Sequence, residues 1–545
     1  MKLFLPFLFL FVACSQGESA RPIHFTDITA GSGLHMKLTN GEDPPQMLLE
    51  VKGNGVALID FDRDGDSDVF VPNGATLRRP GRGPGSRLFE NEGGMRFRDI
   101  TQQAGIDLKN WAYGVAMGDV NADGFDDLLV TCYGQNAILL NNGRGQFDNA
   151  TARSGIRGRS WSTGCSFGDI DNDGDLDLYV ANYAVLKASE TPPPTANFLG
   201  ATVMKGPMGL PAVPDVLYEN QGDGTFRDIS EESGIHRVAP SYGLGAVILD
   251  FDGDHIPDIF VGNDSEASFL FKGLGDGTFE EIGLASGVAL SGGGAGQATM
   301  GIAVGDVDSN GLPDLFTTNF MFDTNTLHMN LGMGLFEDQT TKYGLDLDGR
   351  PYLSWATSFF DFDHDSDEDL IFFNGHIYPE ETCSARDWAY RQPPVLYERT
   401  EGRFERQSPQ NAGLWLAEEH SDRSAAFGDL DADGDIDLVV CERNGPVRLL
   451  RNDRDGGNWL KVQINDTRPG HDRHGYGSRI KIIANGKSQF RWITSGVSFL
   501  AASEPMAHFG LGSYSGPVTI VVTLPDGREI RTVSSCCVLK QIAIY

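Results

Sequence analysis

The sequence predicts an all-β protein made of a seven-bladed β-propeller followed by a small β-sandwich or barrel domain. Three observations lead to this prediction. An acidic motif of nine residues recurs seven times, each copy lies between short strand-like runs, and the repetition stops after Gly456. Repeats of this kind, with four short strands in each, are typical of propeller blades.

The acidic motif is clearest in the copy "DIDNDGDLD" at 169–177. Two carboxylates about 6 Å apart repel by roughly 0.7 kcal/mol even in bulk water, so their concentration here requires an explanation. Calcium takes six to eight oxygens, and a tight loop supplies them from alternate residues with glycine at position six. An EF-hand would need Glu at position twelve, where this copy has Val180. The motif therefore predicts a nine-residue calcium loop closed by Asp177, and a solvated acidic turn is the alternative.

Repetition disfavours the solvated turn, because Asp occupies positions one and nine in all seven copies. We therefore expect several bound Ca²⁺ ions, up to seven. The predicted ligands at positions one, three, five and nine are Asp60, Asp62, Asp64 and Asp68; Asp119, Asn121, Asp123 and Asp127; Asp169, Asp171, Asp173 and Asp177; Asp250, Asp252, Asp254 and Asp258; Asp306, Asp308, Asn310 and Asp314; Asp361, Asp363, Asp365 and Asp369; and Asp429, Asp431, Asp433 and Asp437.

The seven loops are not equivalent. Asn121 and Asn310 each replace a carboxylate by an amide, which weakens calcium binding, and His255 and Ser366 replace the glycine at position six. A side chain there is strained if the position needs a positive φ. We expect the loops that begin at 60, 169 and 429 to bind most tightly, and those at 250 and 361 to bind least.

The runs around each loop supply the strands of a blade. In the first unit "GVALID" precedes the loop and "DVFV" follows it, and "RLFENEGG" and "FRDIT" complete the set. β-Branched and aromatic residues between glycine-rich turns favour strands. The last unit has no fourth strand, whereas the N-terminal run "HFTDIT" (24–29) has no partner. We expect this run to complete the last blade and close the ring.

A four-stranded meander places the calcium loops on one face and the long insertions, 181–215 and 374–394, on the other. Long loops in compact domains tend to carry function. On the insertion face we expect an aromatic and amide-lined funnel that suits a polyol, a glycan or a peptide; packing of these side chains between blades is the alternative. The residues expected there are Trp111, Tyr113, Trp161, Asn182, Tyr242, Asn263, Met300, Asn319, Trp355, Asn374 and His376.

The first twenty residues read as a targeting segment, since Lys2 precedes a short apolar run that ends in "FVAC". That ending resembles a bacterial lipobox, and we expect either a lipid anchor on Cys14 or ordinary secretion. Both routes predict an exported protein, either a cell-envelope lipoprotein or a secreted one, with membrane contact only through the lipid. The net charge of −33 disfavours nucleic-acid binding, which draws on clustered Lys and Arg.

Six further cysteines allow disulfides in an exported protein. Fifteen pairings are possible, and Cys132 with Cys165 is a plausible one because the two lie in adjacent predicted blades. Cys536 and Cys537 are sequence neighbours, and a strained vicinal bridge between them is the less favoured alternative.

The repeats resemble the FG-GAP/VCBS blades of integrin-α-type propellers. The tail (457–545) resembles the ASPIC/UnbV domain through Asn458-Trp459-Leu460, Gly477, Arg479, Ser498 and "HFGLG" (508–512). Together the propeller (21–456) and this tail resemble the cartilage acidic protein family, whose bacterial members are exported. The tail departs from the family pattern at 472–474, and at Ala501-Ala502 it has alanines where polar residues are usual. For Arg479 and His508 we expect structural roles.

We expect a monomeric binding or adhesion module for a protein or glycan partner on the insertion face, with calcium in a structural role. The sequence has no G-x-S-x-G, H-E-x-x-H or nucleotide-binding motif, and His328, His376 and His420 are isolated, so an enzyme is not expected. Two alternatives stay open. One is an accessory role in a biosynthetic pathway, by analogy with UnbV, and the other is an enzyme that uses the propeller funnel.

Overall fold

The computed structural model describes residues 23–158, 160–189, 195–454 and 456–545. Cys14 and the predicted targeting segment lie outside these residues. Within them the repeats form seven four-stranded antiparallel sheets, which are the blades of the predicted propeller.

Each blade is a meander whose first strand lies innermost and whose fourth lies at the rim. The strands of blades 1 to 4 are Ala57–Ile59, Asp68–Val71, Arg87–Asn91 and Phe97–Asp99; Trp111–Gly118, Asp127–Tyr133, Ala137–Asn141 and Phe147–Asn149; Ser162–Gly168, Asp177–Asn182, Val216–Asn220 and Phe226–Asp228; and Gly243–Leu249, Asp258–Asn263, Phe269–Gly273 and Phe279–Glu281. Those of blades 5 to 7 are Ile302–Gly305, Asp314–Thr317, Thr326–Gly332 and Leu335–Asp338; Ser354–Phe360, Asp369–Asn374, Val395–Thr400 and Arg403–Arg406; and Asp422–Gly428, Asp437–Glu442, Val447–Asn452 and Phe25–Asp27.

The N-terminal strand closes the ring, as predicted. Phe25–Asp27 pairs antiparallel with Val447–Asn452, so that Phe25 faces Asn452. The first residues of the described chain and its seventh repeat therefore share one sheet, which ties the two ends of the propeller together.

Helices are few and short in the described residues. The α-helical turns are Thr29–Ser32, Gly283–Ser286, Thr340–Tyr343, Glu380–Ser384 and Pro409–Ala412, and the 3-10 turns are Leu48–Glu50, Ile235–Arg237 and Leu414–Ala417. A separate hairpin, Thr195–Phe198 with Ala201–Met204, lies in the first insertion. None of the described helices has the length and apolar character needed to cross a membrane.

Residues from 458 onward form two further sheets. In the three-stranded sheet Asn458–Asp466 is central, antiparallel to Ala507–Gly512 and parallel to Val538–Ile544. The four-stranded sheet follows the order Lys487–Trp492, Arg479–Ala484, Val518–Thr523 and Glu529–Ser534. Their apolar residues belong to one buried cluster with side chains of blades 2 and 3, such as Phe167 and Leu176. The C-terminal domain therefore packs against the propeller on the side of the acidic loops, here called the loop face.

A segment of the C-terminal domain, residues 495–503, enters the ring; we call it the channel segment. Ser498 exchanges two backbone hydrogen bonds with Ile302 of blade 5, at 2.6 and 2.9 Å. Ala502 exchanges two more with blade 1, donating to the Val56 carbonyl and accepting from the Leu58 amide, both at 2.9 Å.

The same segment reaches three other blades. The Leu500 carbonyl accepts from Val115 of blade 2 at 3.3 Å. Ser166 Oγ of blade 3 donates to the Ser495 carbonyl at 2.8 Å, and in blade 7 the Ala425 carbonyl accepts from the segment's Ser498 Oγ at 2.9 Å. A segment bonded to five of the seven innermost strands lies inside the ring and fills its channel. Its small buried residues, such as Ala501 and Ala502, fit that position.

The predicted disulfides are wrong for this structure, since all six described cysteines are free. Cys132 is buried in a cluster between blades 1 and 2, whereas Cys165 is buried in the cluster shared with the C-terminal domain. The two thiols therefore face different apolar layers. Burial also raises the pKa of Cys132 to about 12, which keeps it a thiol.

Candidate calcium loops and insertion-face cavity

All seven acidic loops share one backbone arrangement. In blade 3 the position-one carboxylate, Asp169, accepts the amides of Asp173 at 3.1 Å and Gly174 at 2.9 Å. In the loop of blade 6, Asp361 accepts the corresponding amides of Asp365 and Ser366, each at 3.0 Å. The position-one aspartate thus holds the turn closed from inside.

The closing aspartate at position nine joins the loop to the rest of its blade. Asp177 accepts the amide of Ile170 and the amide of Asn220, which ends the third strand, both at 2.9 Å. The same two contacts recur in every blade. The repeated Asp at position nine is therefore a backbone-binding residue as well as a predicted ligand.

Two positions of each loop adopt a left-handed backbone. Position six has φ between 82° and 104° where it is glycine, and it is also left-handed at His255 (65°) and Ser366 (89°). The prediction that these two replacements carry backbone strain is confirmed. Position four is left-handed as well, for example at Asn172 (61°) and Ala432 (61°), which the sequence analysis did not anticipate.

The loop carboxylates converge as metal ligands do. Ligand atoms of positions one, three and nine lie within 4.8 Å of one another in the loops that begin at Asp60, Asp169 and Asp306, and those of positions one, three and five do so in the loops at Asp250 and Asp361. Burial, followed by repulsion from Asp173 and Asp171, raises the pKa of Asp169 to about 7.

Oxygen-rich clusters of this kind suit a hard cation such as Ca²⁺, which supplies the missing positive charge. Several of their oxygens are buried without a donor among the described residues, namely Oδ1 of Asp175 in the loop of blade 3 and Oδ2 of Asp363 and Oδ1 of Asp367 in the loop of blade 6. The residues present therefore fit a bound calcium ion.

The loop of blade 4 differs, because an ammonium group of the chain lies among its carboxylates. Lys272, on the third strand, donates to Asp252 and, at 3.1 Å, to Asp254. Burial opposes the charge, but the hydrogen bonds to Asp252 and Asp254 prevail and raise the pKa of Lys272. The cation of this loop is thus supplied by the protein itself.

The loop of blade 7 also meets a lysine, here from the C-terminal domain. Lys461 Nζ lies 2.9 Å from Oδ2 of Asp429 and 3.6 Å from Glu504. Because this ammonium group already pairs with the position-one carboxylate, the structure argues against placing the loop at 429 among the tightest calcium sites.

Three residues of the C-terminal domain, Asp472, His474 and His508, contact the loop face. His474 Nε2 lies 2.6 Å from Oδ1 of the buried Asp126 in blade 2, and the Asp119 amide donates to Asp472 at 3.4 Å. His508 Nε2 pairs with the Gly434 carbonyl at 2.9 Å. These side chains fasten the two parts of the chain together, in the structural role expected of His508.

On the opposite face, here called the insertion face, the two insertions meet. Phe198 of the inserted hairpin lies 5.8 Å from Tyr378 and 5.7 Å from Trp388 of the second insertion, centroid to centroid. Of the aromatic residues expected to line an open funnel, Trp111, Tyr113 and Trp161 are fully buried. For these three the packing alternative is the correct one.

The asparagines expected to line the funnel do not present free amide groups in the described structure. Nδ2 of Asn182 donates to the Pro214 carbonyl at 2.8 Å, and Nδ2 of Asn374 donates to the Pro393 carbonyl at 2.6 Å. The asparagines that end the second strands are buried and hold the following loops. Their amide groups are thereby used within the fold.

A cavity of about 590 Å³ lies under the inserted hairpin; we call it the insertion-face cavity. Met300 and Trp355 line it, as the sequence predicts for the insertion face. Its wall is otherwise formed mainly by Leu48, Val203, Met204, Phe320, Met321, Leu353, Ile377 and Tyr378. The site is therefore a mostly apolar chamber and not a polar funnel.

A buried polar cluster lies at the wall of this cavity. Lys52 Nζ donates to Tyr183 Oη at 3.2 Å and to Asp264 Oδ2 at 3.1 Å, and Tyr183 Oη also donates to Asp264. The ammonium group lies 4.3 Å from the Tyr183 ring centroid and 5.8 Å from that of Trp355. Burial lowers the pKa of Lys52, although Asp264 opposes that effect.

Lys52 and Asp264 are not among the residues predicted from the sequence. One signal was available for Lys52, because it is the one cation in the apolar run "MLLEVKGNGVALID" (47–60). No local signal pairs it with Asp264, which is 212 residues away.

Family models match two parts of the chain. An FG-GAP-like repeat matches residues 60–130, 119–180 and 250–317, and a model described as ASPIC and UnbV matches residues 468–534. The first covers loops of blades 1 to 5, and the second lies within the C-terminal domain.

The chain is also similar to cartilage acidic protein 1 of two mammals. The human protein is 27% identical over 346 residues, which cover 59% of this chain and 48% of that protein. The mouse protein is 25% identical over 564 aligned positions, which cover 98% of this chain and 78% of that protein. The match thus spans about half the length of the human relative.

A solved structure of an Agrocybe aegerita lectin, described as recognising non-reducing terminal N-acetylglucosamine, is 16% identical with a TM-score of 0.39. It covers 68% of this chain and 89% of the lectin chain, a loose likeness only. The family matches and the sequence relatives agree with the resemblance predicted from the motifs: the chain carries FG-GAP-like repeats and an ASPIC and UnbV domain, and it is a relative of cartilage acidic protein 1.

Proposed function

We propose that this chain is an exported, calcium-stabilised binding protein that takes its partner on the insertion face. The observation that carries the proposal is the cavity of about 590 Å³, which lies where the two insertions meet. Its volume is that of a typical small-molecule pocket. Integrin-like FG-GAP repeats favour a location outside the cytoplasm. We propose a monomer whose partner is a protein or glycan, or a ligand within the cavity.

Calcium has a structural role in this proposal. Carboxylates at positions one, three, five and nine of the loops would hold it, and when bound it neutralises their charge. The aspartates at one and nine already bind loop amides, and Asp177 also binds the end of the third strand. A calcium ion that holds these aspartates in place would therefore also stabilise the strands to which they are hydrogen-bonded.

Binding through the insertion face is tested with rim variants. Leu199 (60% exposed) and Met208 (55% exposed) are apolar lining residues at the mouth, so Leu199→Asp and Met208→Asp should leave the fold intact. Met333 (82% exposed) is an apolar residue on the loop face, and Met333→Asp is the matched control.

Calcium-loaded protein is applied to arrays of glycans and of cell-surface proteins. We expect a partner that the wild type and M333D retain and that both rim variants lose by tenfold or more. A partner lost equally by M333D, or no partner for a well-folded sample, would reject the insertion face as the binding surface.

An enzyme is the second candidate, and the contact of Lys52, Tyr183 and Asp264 at a cavity favours it. Buried lysine and carboxylate groups in a cleft are common at catalytic sites. Turnover of a cavity ligand by the wild type, lost in Lys52→Met while ligand binding persists, would support this candidate over a binding protein.

A further inference from the structure

We propose that the insertion-face cavity binds a small, mostly apolar molecule that carries one hydrogen-bond-accepting head group, a carboxylate or a carbonyl, and that Lys52 holds this head group. The inference rests on the proposed binding function and specifies the chemical class of the ligand.

The wall of the cavity argues for an apolar body. Met300, Met321 and Trp355 are almost fully buried and lie among aliphatic neighbours. A volume of about 590 Å³ corresponds to roughly 20 water molecules at liquid density. Water in such a chamber finds few polar partners, so an apolar molecule that displaces it gains free energy.

The mouth is apolar as well. Leu199, Met208 and Phe322 (47% exposed) are large apolar side chains that are exposed and also line the cavity. Exposed apolar residues scattered singly are normal, but here three of them surround one opening. Their position gives an apolar ligand a path from the surface to the wall.

Lys52 supplies the specific contact. An ammonium group has three N–H donors, and within the described residues two of them have acceptors, Tyr183 and Asp264. Both acceptors are held in turn, since Tyr183 donates to Asp264 and Ser265 Oγ donates to Asp264 Oδ1 at 2.9 Å. The third donor of Lys52 is free to meet an acceptor in the cavity.

A second positive charge favours a carboxylate over a carbonyl head. The guanidinium of Arg423 lies 4.4 Å from the ring centroid of Trp355, beneath the wall. It is fully buried and donates to backbone carbonyls, among them those of Val51 and His376. Burial lowers the pKa of Arg423, and Asp422 and Glu442 lie near enough to oppose that effect. Among the described residues Arg423 has no carboxylate partner in ion-pair contact, so its charge adds to that of Lys52 near the cavity.

A sugar fits this chamber less well. Each buried hydroxyl without a partner costs about 1–3 kcal/mol. Asn182, Asn263, Asn319 and Asn374, the amides that a glycan would use, instead bind loop carbonyls. The cavity therefore differs in its chemistry from any glycan site on the outer surface.

The test is calorimetric titration of the calcium-loaded chain with octanoate, 2-octanone and maltose. Four proteins are compared: the wild type, Lys52→Met, Ala196→Trp and Ala152→Trp. Ala196 lines the cavity and is exposed, so an added indole blocks the mouth without entering the core. Ala152 is exposed and is not part of the cavity wall, so it gives the matched control.

We expect octanoate or 2-octanone to bind the wild type and A152W equally, and A196W to lose that binding. K52M should weaken octanoate by at least tenfold and 2-octanone by less. Binding that K52M leaves unchanged would overturn the role of Lys52, and the folding of K52M is checked by its melting temperature against the wild type.

Two further results separate this inference from the proposed function. Binding of maltose alone, sensitive to A196W, would overturn the ligand class and leave the binding function standing. No binding of any probe would overturn the inference, whereas the proposed function is decided separately, by the array results for the wild type, the rim variants and M333D.

Discussion

The loops of blades 3 and 4 have the same backbone but differ in whether a lysine lies among their carboxylates. In both, the position-one aspartate accepts the amides of positions five and six, at 3.1 and 2.9 Å for Asp169 and at 3.2 and 2.9 Å for Asp250. Around Asp171 and Asp173 the structure places no ammonium group among the described residues, whereas Lys272 pairs with Asp252 and Asp254. The nine-residue motif thus specifies the shape of the loop, and a residue outside the motif decides how its charge is balanced.

The same distinction applies to blade 7, where Lys461 reaches Asp429 from the C-terminal domain. Loops with a resident ammonium group do not need calcium to relieve carboxylate repulsion. The structure therefore divides the seven loops into those that contact a lysine and those that do not, and we expect only the second group to depend on calcium. This division differs from the ranking by motif alone.

The largest expected effect is that of calcium on the whole chain. One site at a hundredfold excess of calcium over its Kd stabilises by about 2.7 kcal/mol, and we expect about five occupied loops, so the total is on the order of 10 kcal/mol. Thermal unfolding in EDTA and in about 10 mM Ca²⁺ measures the shift, since about 10 mM is a hundredfold excess over a Kd of about 0.1 mM, the tighter end of the range for extracellular modules. If calcium leaves the melting temperature unchanged, calcium does not stabilise the loops, and the loops of blades 3 and 4 do not differ in calcium dependence.

Single substitutions at position three separate the two loops. Asp171→Ala should remove about 2–3 kcal/mol of calcium-dependent stability, because it takes one ligand from a loop that lacks a resident cation. Asp252→Ala is the matched change in blade 4, and it should leave the calcium-dependent part of the unfolding free energy unaltered. Unfolding of both variants with and without calcium is the measurement, and equal losses would contradict the division.

The melting temperature should change with pH in opposite directions with and without calcium. In the calcium-free protein burial raises the pKa of Asp60 to about 6 and of Asp119, Asp169 and Asp306 to about 7, from 3.8 when unfolded. A carboxyl whose folded pKa is raised favours the folded state most at low pH, and this stability is lost as pH rises from about 4 through 7.

We therefore expect the melting temperature in EDTA to fall between pH 5 and pH 8 and the melting temperature in calcium to rise, because calcium binds the ionised form. The shift in EDTA should be smaller than that caused by calcium itself. If the melting temperature changes with pH by the same amount in EDTA and in calcium, the loop carboxyls do not control its pH dependence.

Lys272→Gln should have the smallest effect. Removing the ammonium group frees Asp252 and Asp254, so we expect blade 4 to gain one weak calcium site, with a Kd on the order of 1 mM. Calcium counted by equilibrium dialysis should rise by about one ion per chain relative to the wild type. Lys342→Gln, at an exposed lysine on another turn, should leave the count unchanged. An unchanged count in a folded K272Q protein would mean that Lys272 does not exclude calcium.

Much of the fold could be predicted from the sequence because its determinants are local. Asp177 and its six counterparts stand at position nine of the loop, and the hydrogen bonds they make are the same in every blade. The unpaired run at 24–29 and the missing fourth strand of the last unit predict the closure of the ring, which Phe25–Asp27 makes. The disulfide between Cys132 and Cys165 could not be judged this way, since it depends on which side of a strand each thiol faces.

The seven blades and the acidic loops follow from the sequence alone because each depends on residues within one repeat, and the closure follows from counting strands, since one repeat lacks a strand that the N-terminal run supplies. Only the tertiary structure decided that Lys461 balances Asp429, that the channel segment fills the ring, and that Lys52 meets Asp264 at an apolar cavity. These contacts join residues at least 32 positions apart, and Lys52 and Asp264 are 212 positions apart. The charge or packing partner of such a residue is set by how the ring closes and by where the C-terminal domain lies on it, which no local pattern encodes.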